Sequence, residues 1–231
     1  LVQKMSGLGI NLAVTHFFKG FGLKSERPQW ERTGALVRLA HGHGVKVLGY
    51  CQLGSLYYET FLAEEPGAEA WALRTIDGSL KPYEGAQYYR WRPCINHPEF
   101  RAYIKRAVSI GLGEVGLDGF NFDNCSNPAC YCDHCTALFR AWLGRRYREP
   151  LPLFGINSFD HVRQPPAPAK ADQVHDPLVR AWIRWRCEAL AAFLGEVAGH
   201  ARGLKADAVL MANPSHPCGA SDTALRGVWP V

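Results

Sequence analysis

Four cysteines fall within eleven residues of this 231-residue chain, and their spacing is typical of a metal site. In the segment CSNPACYCDHC, the run Cys130-x-Cys132-x-x-Cys135 follows Cys125. A structural zinc ion takes four thiolate or imidazole ligands in a tetrahedron, and closely spaced cysteines supply two or three of them from one loop. We therefore expect a structural metal site, with Cys94 and Cys125 as candidates for the fourth ligand. The alternative is a set of free or disulfide-linked thiols.

A carboxylate stands just before these cysteines, at the end of the segment LDGFNFDN. The segment has the apolar character of a buried strand, and successive side chains of a strand point to opposite faces. Asp123 therefore shares a face with Gly119 and Asn121, and Phe120 and Phe122 share the other. We expect Asp123 to project into an open site, either as a catalytic carboxylate or as one that orients a neighbouring group.

A second carboxyl group is needed if Asp123 takes part in glycoside hydrolysis, where one group donates a proton and the other acts as nucleophile or base. The visible candidates are Glu26, Glu59 and Glu84, and we favour Glu59, because the segment GSLYYET starts at the end of a predicted strand and places Tyr58 beside it. Aromatic rings in such a position stack on sugar faces. The alternatives are that Glu59 is an ordinary carboxylate at a helix start, or that the second group comes from a part of the fold outside this sequence.

Other polar side chains gather where each predicted strand ends, and we expect several of them to contact sugar hydroxyls. For each of these side chains, the alternative to sugar binding is a purely structural role. Asp118, near the start of its strand, is expected to be structural, as are the histidines of AHGHG at a helix C-terminus, where a cationic side chain is favourable. The predicted substrate-binding residues are His16, Lys19, Tyr58, Asn121, Asn124, Asn213 and His216.

Strands and helices alternate along the chain, which determines how these side chains are positioned. Continuous apolar strands between amphipathic helices indicate a parallel sheet with right-handed crossovers. A doubly wound sheet would carry a glycine-rich phosphate loop after its first strand, and THFFKGFG is not one. Strands are predicted over 10–18, 45–52, 117–124 and 208–215, and helices over 30–44, 98–111, 137–147 and 177–201.

The pattern predicts an α/β fold of the (β/α)8 TIM-barrel type, whose chemistry lies at the C-terminal ends of the strands. Four to five βα units are visible, so the barrel is expected to be incomplete. We interpret residues 1–231 as one barrel domain, truncated at both ends, with an irregular insertion at 149–177. Open sheet edges need covering by more chain or by another subunit, which favours a homo-oligomer.

Composition disfavours several other classes of protein. The formal charge is +5 and the basic residues are scattered, which disfavours a nucleic-acid partner. No window approaches the roughly eighteen consecutive apolar residues of a membrane span. The first residues do not resemble a signal peptide, and clustered thiols are typical of a metal site, so a cytoplasmic location is favoured.

The segment CYCDHCTALFRAWLGRRY (130–147) resembles one in family 42 glycoside hydrolases, which are β-galactosidases with a TIM barrel. In several of them a Cys-x-Cys-x-x-Cys run binds structural zinc together with an upstream cysteine, and RPCINHPEFRAYI (92–104) is similar to that upstream element. The resemblance implies that Cys94, Cys130, Cys132 and Cys135 hold zinc.

The chain departs from this family at the end of the predicted third strand. The family has Asp-Asn-Glu there, with the glutamate as general acid/base, and this chain has Asp123-Asn124-Cys125. A thiol does not readily replace a carboxyl group that protonates a glycosidic oxygen. The strand also resembles that of α-amylase-like and α-galactosidase-like barrels, in which an aspartate is the nucleophile. We therefore expect a glycoside hydrolase that uses Asp123; the alternative is a catalytically inactive carbohydrate-binding barrel.

Overall fold

The computed structural model describes residues 1–83, 87–168 and 174–213. Its strands are β1 (Leu12–Phe18), β2 (Lys46–Gln52), β3 (Leu56–Tyr57), β4 (Arg90–Trp91), β5 (Gly119–Asp123) and β6 (Val209–Ala212). Its helices are α1 (Val2–Gly7), α2 (Leu23–His41), α3 (Tyr58–Glu64), α4 (Pro98–Ile110), α5 (Asp133–Arg146), α6 (Leu151–Phe154) and α7 (Pro177–Leu204), with a 3-10 turn at Pro66–Trp71 and a π turn at Gly111–Val115.

The central element is a four-stranded parallel sheet in the order β1-β2-β5-β6. Each strand lies beside the next long strand in the chain, so the crossovers advance in one direction, as they do in a barrel wall. Strands β3 and β4 form a separate antiparallel pair in the connection between β2 and α4. The predicted α/β architecture of an incomplete barrel is confirmed.

One face of the sheet packs against the helices. Phe17, Cys51, Phe120 and Phe122 point to this side and are buried together with residues of α2, α4 and α7. Burial of each such aromatic side chain contributes about 1.5–3 kcal/mol. The helices therefore hold the strand ends in place through a continuous apolar core.

The other face of the sheet is open over much of its area. Leu12, Val14 and Met211 are 37, 48 and 45% exposed on it, below the polar side chains of Tyr50 and Asp123. In a closed barrel this face points inward, and its upper end is the region where active sites lie.

Helix α2 begins at Leu23, seven residues before the start at Trp30 that the sequence predicted. The predicted start is therefore wrong. Pro28 lies inside the helix, and the buried carboxylate of Glu26 accepts backbone N–H groups from the preceding loop. Those hydrogen bonds tie the first turn to the end of β1. Tertiary contacts therefore extend the helix across a proline that would otherwise mark its boundary.

The predicted insertion at 149–177 contains the short helix α6 and is otherwise irregular in its described part. Phe154, Phe159 and Val162 pack into a second core cluster with α5 and α7. Among the described residues, every helix is too short or too polar to cross a bilayer.

Candidate active site and cysteine cluster

Asp123 lies at the C-terminal end of β5, where three side chains converge on its carboxylate. Tyr50 donates its hydroxyl to Oδ2 at 2.5 Å, Asn124 Nδ2 lies 3.2 Å from the same oxygen, and Asn213 Nδ2 donates to Oδ1 at 2.8 Å. These donors come from β2, from the residue after β5 and from the residue just beyond β6. The carboxylate is half-buried and held from both sides.

Asn124 turns the chain immediately after Asp123. Its φ of 55° lies in the left-handed region, which asparagine tolerates better than most residues. Its Nδ2 also donates to Gln52 Oε1 at 3.0 Å, and its Oδ1 accepts from the Tyr83 hydroxyl at 3.3 Å. Gln52 in turn accepts from the backbone N–H of Gly54 at 2.9 Å. The turn is therefore fixed by a chain of polar contacts that ends at the carboxylate.

Tyr50 was not among the predicted site residues. Burial, the hydrogen bond to Asp123 and the negative charge of that residue together raise the pKa of the Tyr50 phenol far above its usual value. The phenol therefore stays protonated and acts as a donor. The alternation that placed Asp123 on the open face applies equally to VKVLGYCQ, and would have placed Tyr50 and Gln52 there too.

A set of aromatic rings forms the rim beside this carboxylate. Tyr57 stacks on Phe21 with ring centroids 3.8 Å apart and lies 5.8 Å from Tyr89. The Arg90 guanidinium lies between Tyr57 and Tyr83, at 5.0 and 4.3 Å from their ring centroids. The connection between β2 and α4 thus contributes most of these rings. The sequence predicted that aromatic rings in this connection would stack on sugar faces.

Glu59 and Tyr58 lie in the first turn of α3. Glu59 is exposed, and no hydrogen bond joins it to Asp123 in the part of the chain that the structure describes. Tyr58 is half-buried against the core, 6.3 Å from the Trp91 ring. Two catalytic carboxyl groups need no hydrogen bond between them, so the proposed roles of Glu59 and Asp123 stay predictions.

His16 and Lys19 lie at the end of β1, next to Glu26. His16 Nε2 is 3.3 Å from Glu26 Oε2, and the backbone N–H of Lys19 donates to the same carboxylate at 2.7 Å. The Lys19 side chain is exposed at the rim. Glu26, one of the candidates for the second carboxyl group, is thus buried and orders this corner of the site through backbone hydrogen bonds.

Asn121 is half-buried and pairs in register with Tyr50 and Met211, on the face that carries Asp123. Asn124 and Asn213 contact the Asp123 carboxylate, and Asn121 lies on the same face of the sheet; the predicted contacts of all three with a sugar stay predictions. Asn213 also joins β6 to β5, because its backbone N–H donates to the Phe122 carbonyl oxygen at 2.7 Å. His216 and Glu84 lie outside the described residues.

The four cysteines that the resemblance singled out form one cluster. The Sγ atoms of Cys94, Cys130, Cys132 and Cys135 all lie within 4.8 Å of one another, and Cys94 and Cys135 are 3.4 Å apart. Asn96 Nδ2 donates to Cys135 Sγ at 3.3 Å. Hydrogen bonds from the other thiols lower the pKa of Cys132, whose sulfur also caps α5 by accepting from the Cys135 N–H. The arrangement could hold a metal ion.

Cys125 does not belong to this cluster. Its thiol is buried in the main core and lies 3.4 Å from the Phe122 carbonyl oxygen, and burial raises its pKa to about 12. The residue that stands in place of the family's glutamate is therefore a protonated thiol inside the core. It cannot serve as a proton donor at the open face.

Asp118 lies at the opposite end of the sheet and has a structural role, as predicted. Its Oδ2 is 2.7 Å from His41 Nε2 and accepts the Val47 backbone N–H at 2.8 Å. Lys205 Nζ lies 3.6 Å from its other oxygen. These contacts join α2, β2 and the end of α7.

The fold is that of TIM-barrel glycosidases. The β-galactosidase from Rahnella sp. R3 aligns with a TM-score of 0.69 and 17% identity over 92% of this chain and 32% of that chain. The β-galactosidase from Marinomonas ef1 gives 0.67 and 16% over 92% and 34%. The catalytic domain of the β-amylase from Paenibacillus polymyxa gives 0.64 and 10% over 98% and 66%.

Sequence relatives point to the same group. β-Galactosidase YesZ of Bacillus subtilis strain 168 is 31% identical over 124 residues, which are 47% of this chain and 19% of that protein. β-Galactosidase BgaB of Geobacillus sp. strain Y412MC61 is 26% identical over 157 residues, 62% of this chain and 22% of that protein. The chain thus spans about a fifth of the length of these curated relatives. No family model matches. The predicted resemblance to β-galactosidases of family 42 is confirmed.

Proposed function

We propose that this chain forms part of the catalytic barrel of a glycoside hydrolase that acts on β-galactosides. The observation that carries the proposal is the Asp123 carboxylate, held by three donors at the C-terminal edge of a parallel sheet. The aromatic rim beside it and the β-galactosidase names of the relatives support a sugar substrate.

Asp123 is proposed to act as nucleophile, general base or electrostatic stabiliser. Tyr50, Asn124 and Asn213 all present donors to it, and a carboxyl group that acts as the acid must itself carry the proton. The proton donor must therefore be a group other than Asp123. Cys125 is not that group, because its thiol is buried away from the site. Glu59 stays our candidate within the described residues, and a carboxyl group elsewhere in a longer protein is the alternative.

The first test is turnover of a panel of aryl α- and β-glycosides by the full-length protein. We expect hydrolysis of aryl β-galactosides, reduced by about a hundredfold or more in Asp123→Asn. Asp207→Asn is the matched control, because Asp207 is an exposed carboxylate at the other end of the sheet. Equal activity in both variants would exclude Asp123 from the chemistry, and an unchanged rate in Glu59→Gln would remove Glu59.

The burial of Cys125 in place of a glutamate favours one other candidate function, a carbohydrate-binding barrel without catalysis. On this hypothesis the wild-type protein binds galactosides, the binding survives in Asp123→Asn, and no glycoside of the panel is turned over. Calorimetry with galactose and an aryl β-galactoside, run beside the activity assay, separates the two functions.

We propose in addition that the cysteine cluster binds zinc. A Zn–S distance of about 2.3 Å places tetrahedral sulfurs about 3.8 Å apart, which suits four Sγ atoms within 4.8 Å. Such a site would tie the segment before α5 to the segment before α4, a structural role away from the reacting sugar. The homo-oligomer expected from the sequence also stays a prediction, tested by the mass of the full-length protein in solution.

A further inference from the structure

Arg186 is a charged side chain in the interior of the protein, on the inner side of α7. It is 1% exposed, and its Nε donates to the Asn127 carbonyl oxygen at 2.8 Å. Asn127 Nδ2 returns a hydrogen bond to the Arg186 backbone oxygen at 3.0 Å. The guanidinium lies 4.8 Å from the centroid of the Trp182 ring. These contacts fix the position of a buried positive charge.

This position adjoins the cysteine cluster. Trp182 packs in the same core cluster as Cys94, Cys130 and Cys135, and Asn127 precedes Cys130 by three residues. The carbonyl group that anchors the guanidinium therefore belongs to the segment that leads into the cysteine run, and the ring beneath the guanidinium packs in the same cluster as three of the four cysteines.

The electrostatic interaction between Arg186 and the thiols of this cluster is attractive. Burial lowers the pKa of the guanidinium to about 10, while Cys187, Tyr131, Cys135 and Cys130 oppose that shift. Arg186 thus remains protonated at neutral pH, and two of the cluster's own thiols are among the groups that favour its charged form.

A metal ion would make this neighbourhood strongly anionic. Four thiolates around a divalent ion carry a net charge of −2, and three of the four cysteines are buried. An uncompensated charge in a protein interior is costly unless an opposite charge lies close to it. A guanidinium suits this purpose, since it is always charged and more weakly hydrated than an ammonium group.

We propose that Arg186 is the counter-charge of the metal–tetrathiolate centre and a positioning residue that raises its affinity for zinc. The proposal rests on the zinc site proposed above. It gives a chemical reason for burying a cation on α7, and it makes that helix a third element of the metal site, beside the segments that carry the cysteines.

The test compares charge variants of Arg186 in the full-length protein, with zinc ion alone as the ligand. Arg186→Gln keeps a side-chain donor near Asn127 but removes the charge, and Arg186→Lys keeps the charge. Arg184→Gln is the matched control, because Arg184 lies two residues away on the same helix and is exposed. Zinc affinity and release rate are measured by competition with a chromophoric chelator, and melting temperatures are recorded with and without zinc.

We expect Arg186→Gln to lose about tenfold or more in zinc affinity, as is typical when an outer partner of a metal site is removed. Arg186→Lys should recover most of that loss, and Arg184→Gln should match the wild type. The rise in melting temperature on zinc binding should shrink in Arg186→Gln. A purely structural role would lower the melting temperatures of the zinc-loaded and zinc-free forms equally, leave the affinity unchanged, and overturn the proposal.

The other outcomes also decide the question. If Arg186→Gln does not fold, Arg186→Lys is decisive, because retained zinc affinity supports the proposal and lost affinity in a folded protein contradicts it. A zinc-free wild type with free thiols overturns the metal site and, with it, the role of Arg186. A zinc-bound wild type whose affinity is unchanged in Arg186→Gln overturns the role of Arg186 alone.

Discussion

Asp123 is surrounded by groups that come from three neighbouring strands, and this convergence distinguishes it from the other carboxylates of the sheet. Asp118, on the same strand, is also hydrogen-bonded, but to a histidine and a backbone amide at the opposite end. The two aspartates of LDGFNFDN therefore have different environments. Their separation along the strand predicts this difference, because the two ends of a barrel strand have different roles.

Tyr50 supplies the shortest of the hydrogen bonds to Asp123, at 2.5 Å. Hydrogen bonds to charged groups contribute about 1.5–3 kcal/mol, so we expect Tyr50→Phe to lower kcat/KM by about tenfold to a hundredfold. Steady-state hydrolysis of an aryl β-galactoside measures this effect. Tyr88→Phe is the control, since Tyr88 is 75% exposed. Full activity in Tyr50→Phe would show that this hydrogen bond does not assist the carboxylate.

Cys94 and Cys125 could not be separated by spacing, because both lie within chain reach of the run Cys130–Cys135. The resemblance to family 42 favoured Cys94 as the fourth ligand, and the packing explains why Cys94 and not Cys125 lies in the cluster. The turn at Asn124 directs Cys125 back into the main core, while Cys94 lies beside Cys135 in the second cluster.

At the scale of elements, the cysteine cluster joins the segment before α5 to the segment before α4. We expect zinc removal by a chelator to lower the melting temperature, because metal binding to a site absent from the unfolded chain stabilises the fold. Cys94→Ser should lose the bound zinc and Cys125→Ser should keep it, as measured by elemental analysis. The reverse pattern would mean that Cys125 is the fourth ligand.

The contacts of Asp118 join α2, β2 and α7 at the lower end of the sheet. Burial raises the pKa of Asp118, but the Val47 N–H, His41 and Lys205 outweigh it and lower the pKa below the usual 3.8. A carboxyl group with a lowered folded-state pKa stabilises the protein above its unfolded-state pKa, and that stability is lost as the pH falls through the folded-state value.

We therefore expect Asp118→Asn to reduce the free energy of unfolding by about 1.5–3 kcal/mol at pH 7. The difference from the wild type should shrink as the pH falls below about 4, because the wild-type carboxylate is then protonated too. Urea denaturation at a series of pH values measures this. Asp207→Asn, at an exposed ion pair, should change little. A constant difference at every pH would contradict the linkage.

Local pattern predicted most elements, but contacts between elements set their boundaries. Residues 98–110 and 177–204 form helices close to their predicted ranges, because proline at the start and a regular apolar stripe mark both. The predicted start of α2 was wrong, because the observed start depends on hydrogen bonds from the loop after β1 to the Glu26 carboxylate. Tyr50 was missed because alternation gives the face of a residue, whereas its partner depends on the register between β2 and β5.

At the scale of the whole molecule, the described sheet is one wall of a barrel with an open inner face. Leu12, Val14 and Met211 lie exposed on that face, and the solved β-galactosidases that match extend over about three times the length of this chain. The candidate site lies at the upper end of the same face. Further groups that contact a sugar are therefore expected to come from outside the described residues.

Chemical rescue of Asp123→Gly in the full-length protein tests the central claim most directly, because it separates a carboxylate that reacts from one that only orients its neighbours. We predict that the variant folds, hydrolyses an aryl β-galactoside far more slowly than the wild type, and regains turnover when azide or formate occupies the vacated space. Wild-type kcat/KM in Asp123→Gly without any added anion would contradict the assignment of Asp123 to the reaction.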